Sequence, residues 1–140
     1  MIETLKVKLE PGAKMPTRAH ALDAGLDIYA MGDWELAPHS FGAIPTGVHV
    51  QVPEGCVGKL ESKSSHMLRG LTCRGTIDCG YTGEIKAIVF NHSDQRVRFA
   101  DGDKVTQLVL YPIITPEPVE VDELEETERG DGGFGSTGQR

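Results

Sequence analysis

The stretch "GVHVQV", residues 47–52, decides the fold: Val48, Val50 and Val52 fall on one side of an extended chain, His49 and Gln51 on the other. Successive side chains of a strand point to opposite faces, so a period of two in β-branched residues marks a strand with one buried face. Upstream, "LKVKL" (5–9) repeats the pattern, with Leu5, Val7 and Leu9 opposite Lys6 and Lys8. Downstream, "EIKAIVF" (84–90), "RVRF" (96–99) and "KVTQLVLYPI" (104–113) are further β-branched, apolar runs. Gly, Pro, Asp and Asn punctuate the intervals in "EPGAK", "DAGLD", "APHS", "VPEG", "CGYTG", "NHSD" and "ADGD". Short strands separated by short turns predict an all-β sandwich or jelly roll, not βαβ units. Two places have helical character: "SSHMLRG" (64–70), with a Ser start and a Gly stop, and "VDELEETER" (121–129), with good helix formers but a weak apolar face. Ser64 or Ser65 is the expected cap of the first. No internal repeat is present and no boundary precedes the tail, so the expected organisation is one β domain over 1–116 followed by a tail over 117–140.

A chain of 140 residues suits one domain and buries roughly 68% of its unfolded surface. The formal charge of −7 is uneven. Residues 1–116 carry thirteen acidic and twelve basic groups, whereas 117–140 carry eight acidic and two basic. A near-neutral body without a polybasic patch excludes duplex nucleic acid and anionic membrane as partners, and leaves small anions held by a few groups. Three cysteines without a CxxC pair support neither a disulfide framework nor a zinc site. No apolar leader or membrane-length run is seen, so the expected setting is reducing and cytoplasmic.

Several stretches carry candidate chemistry. "GTIDCGYTGEI" (75–85) places Asp78 at the end of an apolar strand before a Gly-Tyr turn. It either braces that turn or aims a carboxylate into a cleft as a general base. Tyr81 at the turn tip is either a surface aromatic or a platform for a ring. "ESKSSHMLRG" (61–70) sets Lys63, Ser64 and Ser65 ahead of a helix start, which serves as a cap or as a phosphate seat. Gln107 interrupts an apolar strand in "DGDKVTQLVL" (101–110), as a core amide or a phosphate donor. "ALDAGLDIYA" (21–30) supplies Asp23 and Asp27, and carboxylates suit Mg²⁺ through its retained waters. The terminal "RGDGGFGSTGQR" (129–140) contains GxGxxG and resembles a P-loop without its lysine. Both motifs need a following helix, and with five residues left none is expected. Its unhindered backbone N–H groups still suit an anion.

In this order, "DAGLDIYA", "SKSSHMLRG", "GTIDCGYTGEIKAIVFN", "DGDKVTQLVLYPI" and "RGDGGFGSTG" resemble the five motifs of the homotrimeric dUTPase family, over about residues 18–138. The resemblance implies a distorted β jelly roll with at most one short helix, assembled as a homotrimer whose active sites are shared between subunits. It implies hydrolysis of dUTP to dUMP and pyrophosphate with Mg²⁺, which keeps uracil out of DNA and supplies dUMP for thymidylate synthesis. Asp78 matches the aspartate that activates the attacking water, and Tyr81 the tyrosine that packs on deoxyribose and excludes a 2′-hydroxyl. The backbone of Gly75, Thr76, Ile77, Ile85 and Lys86 matches the hairpin that reads uracil. Lys63, Ser64, Ser65 and Gln107 match the phosphate contacts, and Asp27 the carboxylate that holds Mg²⁺ through water. The tail matches a mobile Gly-rich arm that closes over the nucleotide. Phe134 would stack on the uracil, and Gly135 among the arm's glycines would let it bend and bring backbone N–H groups to the substrate. Arg129, Ser136 and Thr137 would grip the γ-phosphate, and 117–128 would be an acidic connector to a neighbouring subunit.

Two departures stand out. Lys63 occupies a place where most relatives carry arginine, a point charge replacing a planar fork. Arg74 replaces a small or apolar residue and faces either phosphate or solvent. A dCTP deaminase of the same fold would need a glutamate where Ile88 stands, which cannot shuttle a proton. A dUTPase-like chain acting on a regulatory protein partner is the other alternative, and no motif identifies such a partner. Trp34 lies outside the motifs and reads as a packing residue.

Overall fold

A computed structural model describes residues 4–135 and 138. Ten strands and one helix follow in order: β1 Lys6–Leu9, β2 Leu26–Tyr29, β3 Trp34–Leu36, β4 Ser40–Gln51, β5 Cys56–Glu61, α1 Ser64–Met67, β6 Leu71–Cys73, β7 Gly75–Ile77, β8 Glu84–Asn91, β9 Val97–Phe99 and β10 Lys104–Pro112. They form two four-stranded antiparallel sheets, ordered β1-β4-β8-β6 and β2-β10-β5-β7, with a β3-β9 ribbon beside them. This is the expected all-β jelly-roll sandwich. The alternation read from the sequence holds best in β8, where Ile85, Ala87, Val89 and Asn91 are buried and Lys86, Ile88 and Phe90 are exposed. Val48, Val50 and Val52 enter the core with Ile28, Ile44, Leu71 and Leu108. Because Ile44 is fully buried, Ile44→Ala is expected to cost about 2–5 kcal/mol, read as a lower urea midpoint with an unchanged slope.

One polar side chain ties β8 to the ends of the β3–β9 ribbon. The buried Asn91 amide donates to the carbonyls of Leu36 (3.3 Å), Ala37 (3.1 Å) and Gln95 (2.8 Å), while its oxygen accepts from Ser93 N–H (3.0 Å). These bonds satisfy a group that would be costly to bury unpaired.

Two local expectations change. Neither serine caps α1. Lys63 takes the cap position with extended backbone (φ −80, ψ 142), and its carbonyl accepts from His66 and Met67, both at 3.0 Å. The serines therefore stand inside the first turn, where a hydroxyl no longer reaches the amides ahead of it. "VDELEETER" forms no helix: 117–128 runs without regular structure and is exposed. Acids three and four apart repel on a helix, and nothing covers Val121 or Leu124. Among the described residues no helix is long and apolar enough to cross a membrane.

Candidate active site

The site begins where one extended path changes sheets. β6 pairs with the far end of β8, Leu71↔Asn91 to Cys73↔Val89. The chain then turns at Arg74, and β7 pairs instead with β5, Gly58↔Ile77 to Leu60↔Gly75. Meanwhile the near end of β8 pairs only with β4. The expected 75–86 hairpin is therefore not a ladder: among the described residues no pairing joins β7 to β8. Their facing edges enclose a cleft of about 330 Å³ lined by Gly75, Thr76, Ile77, Tyr81, Ile85 and Lys86, with Arg74 and Ile88 at its sides. Backbone donors and acceptors along these edges remain available to a planar ligand with its own hydrogen-bonding edge.

The turn between the strands carries Asp78 and Tyr81. Tyr81 N–H donates to the Asp78 carbonyl (3.0 Å), and the Tyr81 hydroxyl donates to the Glu84 carbonyl (2.7 Å). This folds the ring over Gly83, where an added Cβ would lie 2.6 Å from the hydroxyl. The Asp78 side chain stays exposed. Glu84 fastens the turn to β4, accepting the Gly47 N–H on Oε2 (3.0 Å), and Gly47 has φ +67 at a register shift that favours glycine.

His49 braces the same turn from below. Its Nδ1 lies 2.8 Å from the Thr82 carbonyl and its Nε2 2.9 Å from Glu10 Oε2. The ring can donate to both only when doubly protonated, so the Thr82 carbonyl first, and then the Glu10 carboxylate, raise its pKa above 6.5. A raised pKa means the brace is complete below 6.5 and is lost as pH rises through the folded value. Histidine ring titration by NMR should show that rise. Protection of the Thr82 and Gly83 amides, measured relative to their intrinsic exchange at each pH, should fall above it, and His49→Gln should abolish that fall.

A second cluster gathers at the β2–β10–β5 edge. Asp27 (5% exposed) bonds Lys63 Nζ through Oδ1, and Lys104 Nζ lies 3.3 Å from Oδ2. Burial alone would push the Asp27 carboxyl up, but the hydrogen bonds and charges of Lys63 and Lys104 outweigh it and hold the carboxyl below its ordinary value. Gln107 stands opposite Asp27 in the β10–β2 register and donates Nε2–H to the Ser62 carbonyl (3.1 Å). Its amide oxygen fills the space where a Cβ on Gly25 would sit, at 2.2 Å. Asp27, Lys63, Gln107 and Gly25 line one open cavity, separate from the β7–β8 cleft.

The tail makes a third group. Arg129 Nε–H donates to the Gly132 carbonyl (2.6 Å), and Gly135 has φ +89, which closes a tight bend. The Phe134 side chain is fully exposed. Ser136 and Thr137 lie outside the described residues. The chain thus brings Asp27, Lys63 and Gln107 together, and Gly75 to Lys86 together, but leaves Arg129 and Phe134 apart from both.

Sequence reasoning did not single out Gly25, Gly83, Glu84, His49 or Lys104. All five stood inside quoted stretches, but their role depends on which side chain from elsewhere in the chain meets them. Trp34 is more exposed than a packing residue, donating its indole N–H to the Met31 carbonyl (2.9 Å).

Comparison with known proteins agrees in sequence and in shape. The dUTPase family model matches residues 12–138. The deoxyuridine 5'-triphosphate nucleotidohydrolase of Gloeothece citriformis is 40% identical over 139 residues, covering 96% of this chain and 96% of that protein. That of Arabidopsis thaliana is 41% identical over 138 residues, covering 94% of this chain and 80% of that protein. Among solved structures, a point mutant of the Staphylococcus bacteriophage 80alpha dUTPase with dUpNHpp has a TM-score of 0.90 at 34% identity, covering 98% of this chain and 99% of that one. A point mutant of the dUTPase from phage phi11 of S. aureus, described with the coordination of a structural Mg(II) ion, has a TM-score of 0.83 at 33% identity, covering 89% and 100%.

Proposed function

The chain belongs to the dUTPase family, and from that premise we propose that it hydrolyses dUTP to dUMP and pyrophosphate, with a water activated by Asp78 attacking the α-phosphorus. The observation that carries this reading is the cleft between β7 and β8, whose unpaired backbone edges face each other beside Asp78 and Tyr81. Uracil would satisfy those edges, whereas the exocyclic amine of cytosine would leave donors facing donors, a mismatch worth large discrimination in a closed pocket. The 5-methyl group of thymine would be refused by the walls of the cleft. Tyr81, held down by its bond to Glu84, would pack on the deoxyribose and leave no room for a 2′-hydroxyl.

In the reaction, Asp78 accepts a proton from the water as the new P–O bond forms. The bond from the α-phosphorus to the oxygen bridging to the β-phosphate breaks, and the electron pair leaves with pyrophosphate. Lys63, Ser64, Ser65 and Gln107, supplied to the cleft by a neighbouring subunit of the trimer, would hold the phosphates in line for this displacement.

Among the described residues no cluster of three or more His, Cys, Asp or Glu is placed to hold a metal alone. Asp27, buried and kept ionised, fits the lesser role of accepting a hydrogen bond from water on a Mg²⁺ carried by the triphosphate. Bound there, Mg²⁺ would offset charge developing on the leaving phosphates.

The arm supports a shared site. Among the described residues Phe134 is exposed, Arg129 hydrogen-bonds only within its own loop, and the acidic 117–128 segment is exposed without regular structure. We read 1–116 as the catalytic β domain and 117–140 as a connector and lid that completes the site of another subunit in a homotrimer. Phe134 would cover the base, Gly135 would let the arm bend onto the substrate, and Arg129, Ser136 and Thr137 would hold the γ-phosphate. Such an enzyme keeps uracil out of DNA and supplies dUMP for thymidylate synthesis.

The test is pyrophosphate release from dUTP, dTTP, dCTP and UTP with Mg²⁺. Only dUTP should be cleaved well; comparable cleavage of UTP or dTTP would overturn the pocket reading. Ammonia from dCTP would replace hydrolysis with deamination.

A further inference from the structure

Asp27 stands between two ammonium groups of unequal standing. Lys63 lies on the loop entering α1 and lines the cavity that holds Gln107. Lys104 opens β10, is fixed in register opposite Tyr29, and lines a different pocket with His66 and Arg69. Each lysine uses one oxygen of the carboxylate, Lys63 on Oδ1 and Lys104 on Oδ2. A triphosphate entering the cavity needs the Lys63 charge, yet here that charge is already engaged by a buried carboxylate.

Taking dUTP as the substrate, on which the exchange depends, we propose that Asp27 holds Lys63 in the substrate-free protein, and that Lys104 is the positioning residue that lets Lys63 transfer to the phosphates by retaining Asp27 through Oδ2. A buried carboxylate stripped of its sole cation is strongly disfavoured, so with one lysine the transfer would be opposed. With two, Asp27 keeps a partner throughout. The residue type at 63 suits this exchange. A lysine ammonium is a point charge on a flexible stem and occupies a single carboxylate oxygen, whereas an arginine fork engages both oxygens at once and would compete with Lys104. Oδ1, once released, is the oxygen left to accept from a metal's water.

The proposal is tested without turnover and without metal, by calorimetric binding of dUpNHpp in EDTA. Lys104→Met should weaken binding about tenfold or more, because Asp27 then claims Lys63 alone, and Lys104→Arg should restore it to within about threefold. Adding Asp27→Asn to Lys104→Met should recover most of the loss, since Lys63 is freed. If Lys104 merely contributes positive charge near the nucleotide, Asp27→Asn strengthens binding by the same factor whether residue 104 is lysine or methionine, and the proposal falls. Lysine ammonium NMR on the unmodified protein gives the direct view. The Lys63 Nζ signal should shift on adding dUpNHpp while that of Lys104 stays, and a Lys63 signal that does not move overturns the transfer. If dUpNHpp fails to bind the unmodified protein at all, the dUTP reading itself is overturned, and the proposal with it.

Discussion

Asp78→Asn is expected to lower turnover of dUTP about 10²–10⁴-fold while leaving dUpNHpp affinity within about threefold of the unmodified protein. The two side chains have nearly the same shape, so the turn that carries residue 78 is preserved. That turn is held by Tyr81, through its N–H to the Asp78 carbonyl and its hydroxyl to the Glu84 carbonyl, and not by the carboxylate of residue 78. What the substitution removes is an acceptor for a proton. An amide still hydrogen-bonds a water but does not take its proton, so binding and chemistry separate cleanly. Single-turnover pyrophosphate release reads the loss, and calorimetry with dUpNHpp reads the binding. Turnover within tenfold of the unmodified protein would place the base elsewhere. Weak binding would show instead that the carboxylate shapes the cleft.

Arg129→Ala is expected to lower turnover about 10²–10³-fold with a smaller effect on dUpNHpp affinity, as for removal of one preorganised charge from a phosphate transition state. The stronger form of the experiment mixes two inactive proteins. If the arm of one subunit serves the cleft of another, trimers re-assembled from Asp78→Asn and Arg129→Ala chains contain some sites with both residues intact, and activity returns. If each arm serves its own cleft, no site in the mixture is whole and activity stays absent. The second result would contradict the exposed Phe134 and the self-contained Arg129 loop as marks of an arm awaiting another chain. It would also leave the acidic connector without its proposed role.

Much of this was legible in the sequence because it depends on neighbours in the chain. The alternation in "GVHVQV" and "EIKAIVFN" states which side chains of a strand go inward, and a period of two allows only one answer once a face is buried. Asp78 before a Gly-Tyr turn and Lys63 before a helix start are local facts as well. The limits appear where local preference is weak. The "VDELEETER" segment has helical propensity, but propensity without a packed face does not hold a helix. At α1 the cap fell on Lys63, one residue ahead of the serines, because the preceding strand β5 delivers the chain in extended form up to that point.

The sequence by itself determined the all-β class, the inward faces of the strands and the order of the motif residues, since each rests on spacing along one segment. Only the tertiary structure decided which strands pair. Residues 75–86 read as a hairpin, yet β7 joins β5 and β8 joins β4, and the cleft exists because those two pairings pull the strands apart. The same holds for Asp27, whose partners Lys63 and Lys104 come from distant parts of the chain and meet only across the β2–β10–β5 edge. Pairing and charge contacts of this kind are chosen by the competition of whole sheets for the core, a quantity that no single stretch of residues contains.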